Sequence, residues 1–103
     1  MSIASPIAER VIHAVAADGH EFQLALRVGP AYRSSDVSWS CPVEAIGLHN
    51  RLGDITGVDS WQAVQLSFRF LASLVAGFVE RGGKLFCSPG GEPVSPADLW
   101  SDG

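Results

Sequence analysis

The 103-residue chain has the length of one ordinary domain, and 47% hydrophobic against 17% charged residues favours a sizeable core over disorder. Its net charge is −4, from 11 acidic and 7 basic residues, with Lys84 the single lysine and the arginines scattered. Phosphate-backbone binding needs clustered Lys and Arg, so a nucleic-acid role is disfavoured.

Residues 1–5 are expected to fray. Ile7 to Ala16 reads as a first strand, and Ala17-Asp18-Gly19-His20 as a turn, since Asp-Gly between two such runs is a strong hairpin signal. Glu21 to Val28 is the clearest strand. Phe22, Leu24, Leu26 and Val28 alternate with Glu21, Gln23 and Arg27, which predicts one packed face and one wet face. Gly29-Pro30 ends it, and Ala31 to Asp36 reads as a polar connection. Val37 to Gly47 is a third strand in which Val37, Trp39 and Cys41 alternate with serines. Pro42 has no N–H to donate, so this strand is placed at an edge or bulged there. Leu48 to Gly57 is expected to hold a turn and a short fourth strand around Leu52 to Thr56.

Asp59 to Gly83 reads as one long helix of about 33 Å. Asp59 is a candidate N-cap, and Gln62, three residues on, has the spacing of a capping box. Val58 and Ala63 have the spacing of a hydrophobic staple. Gly82 and Gly83 offer a left-handed C-terminal cap, and Arg81 suits the negative end of the helix dipole. Two apolar stripes run along the helix: Trp61, Val64, Phe68, Leu71, Val75 and Phe78 form one, and Ala63, Leu66, Phe70, Leu74 and Gly77 the other. One sheet face covers one stripe. The second needs either wrapping by loops and tail or a helix-mediated homodimer, so Leu66, Phe70, Leu74 and Gly77 are the candidate interaction surface. Gln65, Arg69 and Ser73 at its centre argue against a membrane span.

Lys84 to Ser88 reads as a last short strand, and residues 89–103 as a tail. In that tail Ser95 and Pro96 open a single helical turn, and Leu99 and Trp100 dock it. The order β-β-β-β-α-β, dominated by hairpins, predicts a single two-layer α+β domain. Its sheet would be mainly antiparallel, four- to five-stranded, and packed on the long helix.

Trp39-Ser40-Cys41-Pro42, then Gly47-Leu48, then Gly57-Val58-Asp59-Ser60-Trp61-Gln62-Ala63 form the pattern W-x-C-P, G-L and G-V-D-x-x-Q-A. This pattern resembles a family of short, uncharacterised bacterial proteins classed as a domain of unknown function. The likeness covers roughly residues 7 to 88, and Val64 stands where that family usually has Leu. The resemblance implies a single domain of this length and carries over no activity, cofactor or site.

The residues that bear chemistry show no motif spacing. His13, His20 and His49 fall on a strand, in a turn and in a loop, without HExxH or CxxC spacing, so no metal or cofactor is expected. Cys41 and Cys87 are too few for a secreted disulfide framework. They read as buried, reduced, unreactive strand thiols, with a disulfide between the two strands as the alternative. The first ten residues hold no basic segment followed by an apolar run, so the expected location is the cytoplasm. Asp54 and Asp59 flank the entry to the helix, where turn and cap roles account for them. Trp39, Trp61 and Trp100 either pack or line a pocket or partner surface. The reading favoured by the sequence is a non-enzymatic protein-interaction or dimerising domain. The alternative is a small-molecule-binding or enzymatic domain with a pocket between helix and sheet, and single-stranded nucleic-acid binding is a weaker third.

Overall fold

The computed structural model describes residues 3, 5–49 and 51–100. It is an α+β fold of one long helix packed on antiparallel sheet. Strands β1 (Ala8–Val15) and β2 (Glu21–Val28) form the central hairpin, in register from Ala8↔Val28 to Val15↔Glu21. Its turn closes where the Gly19 amide donates to the Ala16 carbonyl (2.9 Å) and the Ala16 amide to the His20 carbonyl (2.8 Å). The Asp18 carboxylate also accepts from the His20 amide. The alternation in β2 is realised: Leu24, Leu26 and Val28 are buried, while Glu21 and Gln23 are exposed. On the opposite face Glu9, Arg27 and Glu44 line up across three strands, and Arg27 bonds the Glu9 carboxylate.

Pro42 divides the third strand of the sequence reading in two. Strand β4 (Trp39–Cys41) and strand β5 (Val43–Ile46) belong to different sheets. Proline offers no amide to a ladder, but its carbonyl still accepts from the Gly29 amide at 2.8 Å, so the chain turns there without losing its tie to the end of β2. The five-stranded sheet has the order β5-β2-β1-β7-β8, with β7 (Lys84–Phe86) and β8 (Pro93–Val94) beyond β1. The three-stranded sheet is β3 (Tyr32–Arg33), β4 and β6 (Ile55–Gly57). Strand β3 lies inside the expected polar connection, and β8 inside the expected tail. Each is two residues long, too short to show a period. The fourth strand is displaced toward the helix, from the expected Leu52–Thr56 to Ile55–Gly57. Asn50, in the stretch where the sequence predicts a turn, lies outside the described residues.

Helix α1 (Ser60–Glu80) has both its expected caps. The Asp59 carboxylate accepts from the Gln62 amide at 2.8 Å. Gln62 reaches back one residue further than a capping box requires: its Oε1 accepts from the Val58 amide at 2.8 Å. The expected staple is absent, since Val58 is 71% exposed while Ala63 is fully buried. Gly57 sets the entry angle instead. A Cβ there would stand 2.6 Å from the Ala63 nitrogen, so only glycine lets β6 run this close to the first turn. At the other end Gly82 is left-handed (φ +99°), with its amide on the Val79 carbonyl and the Gly83 amide on the Phe78 carbonyl. Those two bonds are the Schellman closure.

The buried line of α1 is Ala63, Ser67, Leu71, Val75 and Phe78. It draws on both stripes of the sequence reading and adds a serine that belonged to neither. Ser67 is tolerated because its hydroxyl donates to the Ala63 carbonyl one turn back, at 2.7 Å. Phe78 meets Phe22 edge-to-face at 5.7 Å. By length and composition α1 passes as a membrane span, with a mean hydropathy of 1.4 in its best window. Its polar residues therefore do not by themselves argue against a span; 28% of that window is buried, and its Ala63, Leu71, Val75 and Phe78 share one buried cluster with Leu24, Leu26 and Val28.

Both chain ends are tied down where they are described. The Ile3 amide donates to Glu44 Oε1 at 2.9 Å; residues 1, 2 and 4 of the stretch expected to fray lie outside the described residues. The short helix α2 (Pro96–Leu99) opens at Ser95, as expected, and its Asp98 carboxylate accepts from the Ser95 amide. Leu99 and Trp100 pack on the core; residues 101–103 of the tail lie outside the described residues.

Candidate functional site

Three surfaces carry features beyond core packing. The first is apolar and lies at the start of α1. Trp61 is 80% exposed and Val58 71%. This corrects the assignment of Trp61 to the core stripe. Trp61 is the second residue of the helix, and its side chain clears the sheet that covers Leu71 and Val75 further along. A groove beside it is lined by Ser60, Trp61, Val64 and Gln65. Val37, also strongly exposed, precedes the Trp39↔Gly57 pair on β4, just as Val58 follows it on β6. The antiparallel register therefore brings the two valines to the same end of the three-stranded sheet.

The candidate residues Leu66, Phe70, Leu74 and Gly77 are all partly buried. Phe70 and Leu74 pack against the core, and the Arg81 guanidinium lies 3.1 Å from where a Gly77 Cβ would stand. Asp59 and Gln62 are the cap residues described above.

The second surface is a cavity of about 150 Å³ between helix and sheet. Ala8, Leu26 and Val28 form its floor, Phe68 and Leu71 its helical wall, and Leu99 and Trp100 of the tail its third side. Arg10 stands at its rim. The tail thus borders Phe68 and Leu71, about 160° and about 100° around the helix from Phe70. The three tryptophans do not share one site. Trp100 lines this cavity, Trp61 lines the groove at the helix start, and Trp39 packs half-buried on the core.

The third surface is polar. Glu44, His49, Arg51 and Asp54 line a groove between β5 and the entry to β6. Asp54 accepts a hydrogen bond from the Tyr32 hydroxyl. That bond, with smaller contributions from burial and the Asp54 charge, raises the Tyr32 pKa above its usual 10.0. Tyr32, Ser40 and Thr56 are direct cross-strand neighbours. The Ser40 hydroxyl donates to Ser34 (2.9 Å) and lies 3.1 Å from Thr56, which ties β4 to β6 and to the segment that follows β3. Nothing in the sequence pairs Tyr32 with Asp54, because their meeting depends on β3, which has no pattern of its own.

The remaining candidates are dispersed. His13 Nε2 is 2.8 Å from the Glu21 carboxylate, His20 stacks on Phe22, and His49 lines the polar groove. Among the described residues no three His, Cys, Asp or Glu side chains converge on a metal position. Both cysteines are free. Cys41 is fully buried; its thiol donates to the Gly29 carbonyl at 3.2 Å, and burial raises its pKa against a lowering contact with Ser67. Cys87 departs from expectation, since β7 ends at Phe86 and leaves it exposed in the following bend. Comparison with protein-family models, curated proteins and solved structures finds no match to this chain.

Proposed function

We propose that this chain is a non-enzymatic protein-interaction domain that pairs with a second copy of itself through the start of α1. One observation supports this reading above the others: Trp61, the largest side chain type available, stands 80% exposed beside Val58. Exposed apolar clusters mark interaction sites, and tryptophan is the residue most enriched where binding energy concentrates. A two-fold contact needs only one patch that complements itself, and the support here is that a protruding tryptophan and a groove lie side by side at the helix start. Phe70 lies about 180° around the helix from Trp61 and packs partly buried against the core, so it forms a separate apolar surface.

The resemblance to short uncharacterised bacterial proteins is likewise a proposal. Its support is that the quoted residues have structural roles here: Pro42 divides two sheets, Gly57 admits the helix, and Asp59 caps it.

The test is mass in solution across a concentration series. The chain sediments at twice its 10.9 kDa, and Trp61→Glu sediments at 10.9 kDa with an unchanged far-ultraviolet spectrum. A parent chain that stays at 10.9 kDa up to millimolar concentration refutes self-association. A dimer that survives Trp61→Glu moves the contact to Leu66, Phe70 and Leu74.

A further inference from the structure

Independently of any pairing through Trp61, we propose that the cavity between α1, the central hairpin and the tail binds a small monocarboxylate with a compact apolar body. Two features of the site define that class. The first is size and lining. The cavity measures about 150 Å³ and is walled by Leu26, Val28, Phe68, Leu71, Leu99 and Trp100. An apolar cavity of about that volume takes a molecule the size of benzene.

The second is the cation at its rim. Arg10 pairs in register with Leu26, which is 5% exposed, so the two side chains share the inner face of the sheet. Glu9 also borders the cavity, but its carboxylate is engaged by Arg27, which the strand period places on the opposite face. Asp98, on the α2 turn that carries Leu99, is occupied by the Ser95 amide. Among the described residues Arg10 has no carboxylate partner. An apolar pocket with a guanidinium at its mouth, unpaired among the described residues, selects a ligand that is apolar at one end and anionic at the other. The guanidinium fork matches a carboxylate by two parallel hydrogen bonds. An acyl chain of twelve or more carbons is larger than this volume.

The probe is benzoate, titrated into the full chain by calorimetry and by amide chemical shifts. Saturable binding is expected, with shifts at Leu26, Phe68 and Leu99. Benzyl alcohol, equal in shape and uncharged, binds about 10- to 100-fold more weakly, the difference expected for a charge-assisted pair. Arg10→Gln reduces benzoate affinity by the same factor and leaves benzyl alcohol unchanged. Arg10→Lys, which keeps the charge and loses the fork, falls between. Arg10 is exposed, so these variants fold, and circular dichroism checks that they do. The proposal is overturned if benzoate and benzyl alcohol bind equally, if Arg10→Gln leaves benzoate affinity unchanged, if the shifts map away from the cavity, or if laurate binds there as tightly as benzoate.

Discussion

Leu71 and Trp61 belong to one stripe by spacing, yet the structure assigns them opposite energetic roles. Leu71 is 2% exposed and Trp61 80%. Truncating Leu71 to alanine removes three buried carbons, worth about 2.4 kcal/mol at about 0.8 kcal/mol each. A cavity contribution follows, which across Leu→Ala changes brings totals to about 2–5 kcal/mol. Leu71 already borders the helix–sheet cavity, beside Phe68 and Trp100, so neighbours have room to relax and the lower half of that range is expected. About 3 kcal/mol is a large fraction of the roughly 5–15 kcal/mol that holds an ordinary domain together. With an m-value of about 1.5 kcal/mol/M, Leu71→Ala lowers the urea midpoint by about 2 M. Trp61→Ala, although it deletes far more apolar surface, stays within about 0.5 kcal/mol of the parent, as surface changes do. Both are measured by urea titration at low micromolar protein and repeated tenfold higher, which separates a loss of self-association from a loss of intrinsic stability. Equal destabilisation by the two variants at both concentrations refutes this assignment of the core.

Asp59→Ala is expected to cost about 1 kcal/mol, because the Gln62 amide loses its acceptor, while Asp59→Asn retains most of the cap; equal midpoints for the two variants in thermal unfolding exclude a capping role. In the folded chain Cys87 reacts with a thiol reagent at the rate of a free cysteine, and Cys41 reacts only on unfolding; fast labelling of both contradicts the burial of Cys41. The raised pKa of Cys41 has a stability consequence of definite sign. Its contribution is fully present below the unfolded thiol pKa of about 8.5 and is lost as pH rises toward the folded value, so the parent loses more stability than Cys41→Ala across that alkaline window.

Much of the fold is legible in local pattern. The β1–β2 hairpin follows from Asp18-Gly19 between two apolar runs, and the packed face of β2 from an unbroken period of two. The limits of α1 follow from Asp59 at one end and Gly82 at the other. These signals are local: each depends on residues within a few positions, whose backbone preferences and amide partners are set before anything distant arrives. The interruption of the ladder at Pro42 is of the same kind, since a missing N–H is a property of the residue alone, although β4 before it lies between two strands and only β5 after it lies at an edge.

What lay beyond the sequence depends on which surface meets which. That Pro42 divides two sheets rather than bulging one requires β2 and β6 as separate partners. That Ser67 and not Trp61 lies on the buried line of α1 depends on where the sheet ends beneath the helix. A 3.6-residue period marks a stripe but not how far its cover extends. Strands β3 and β8 exist only because longer neighbours offer them an edge, so Tyr32 meets Asp54 and the exposure of Cys87 follows where β7 stops. The approach of Leu99 and Trp100 to Leu26 and Phe68, with Arg10 at the rim, joins residues nearly ninety positions apart. Propensity and capping act along the chain and can be read there; burial and the grouping of side chains into sites act between distant segments, and tertiary packing alone decides them.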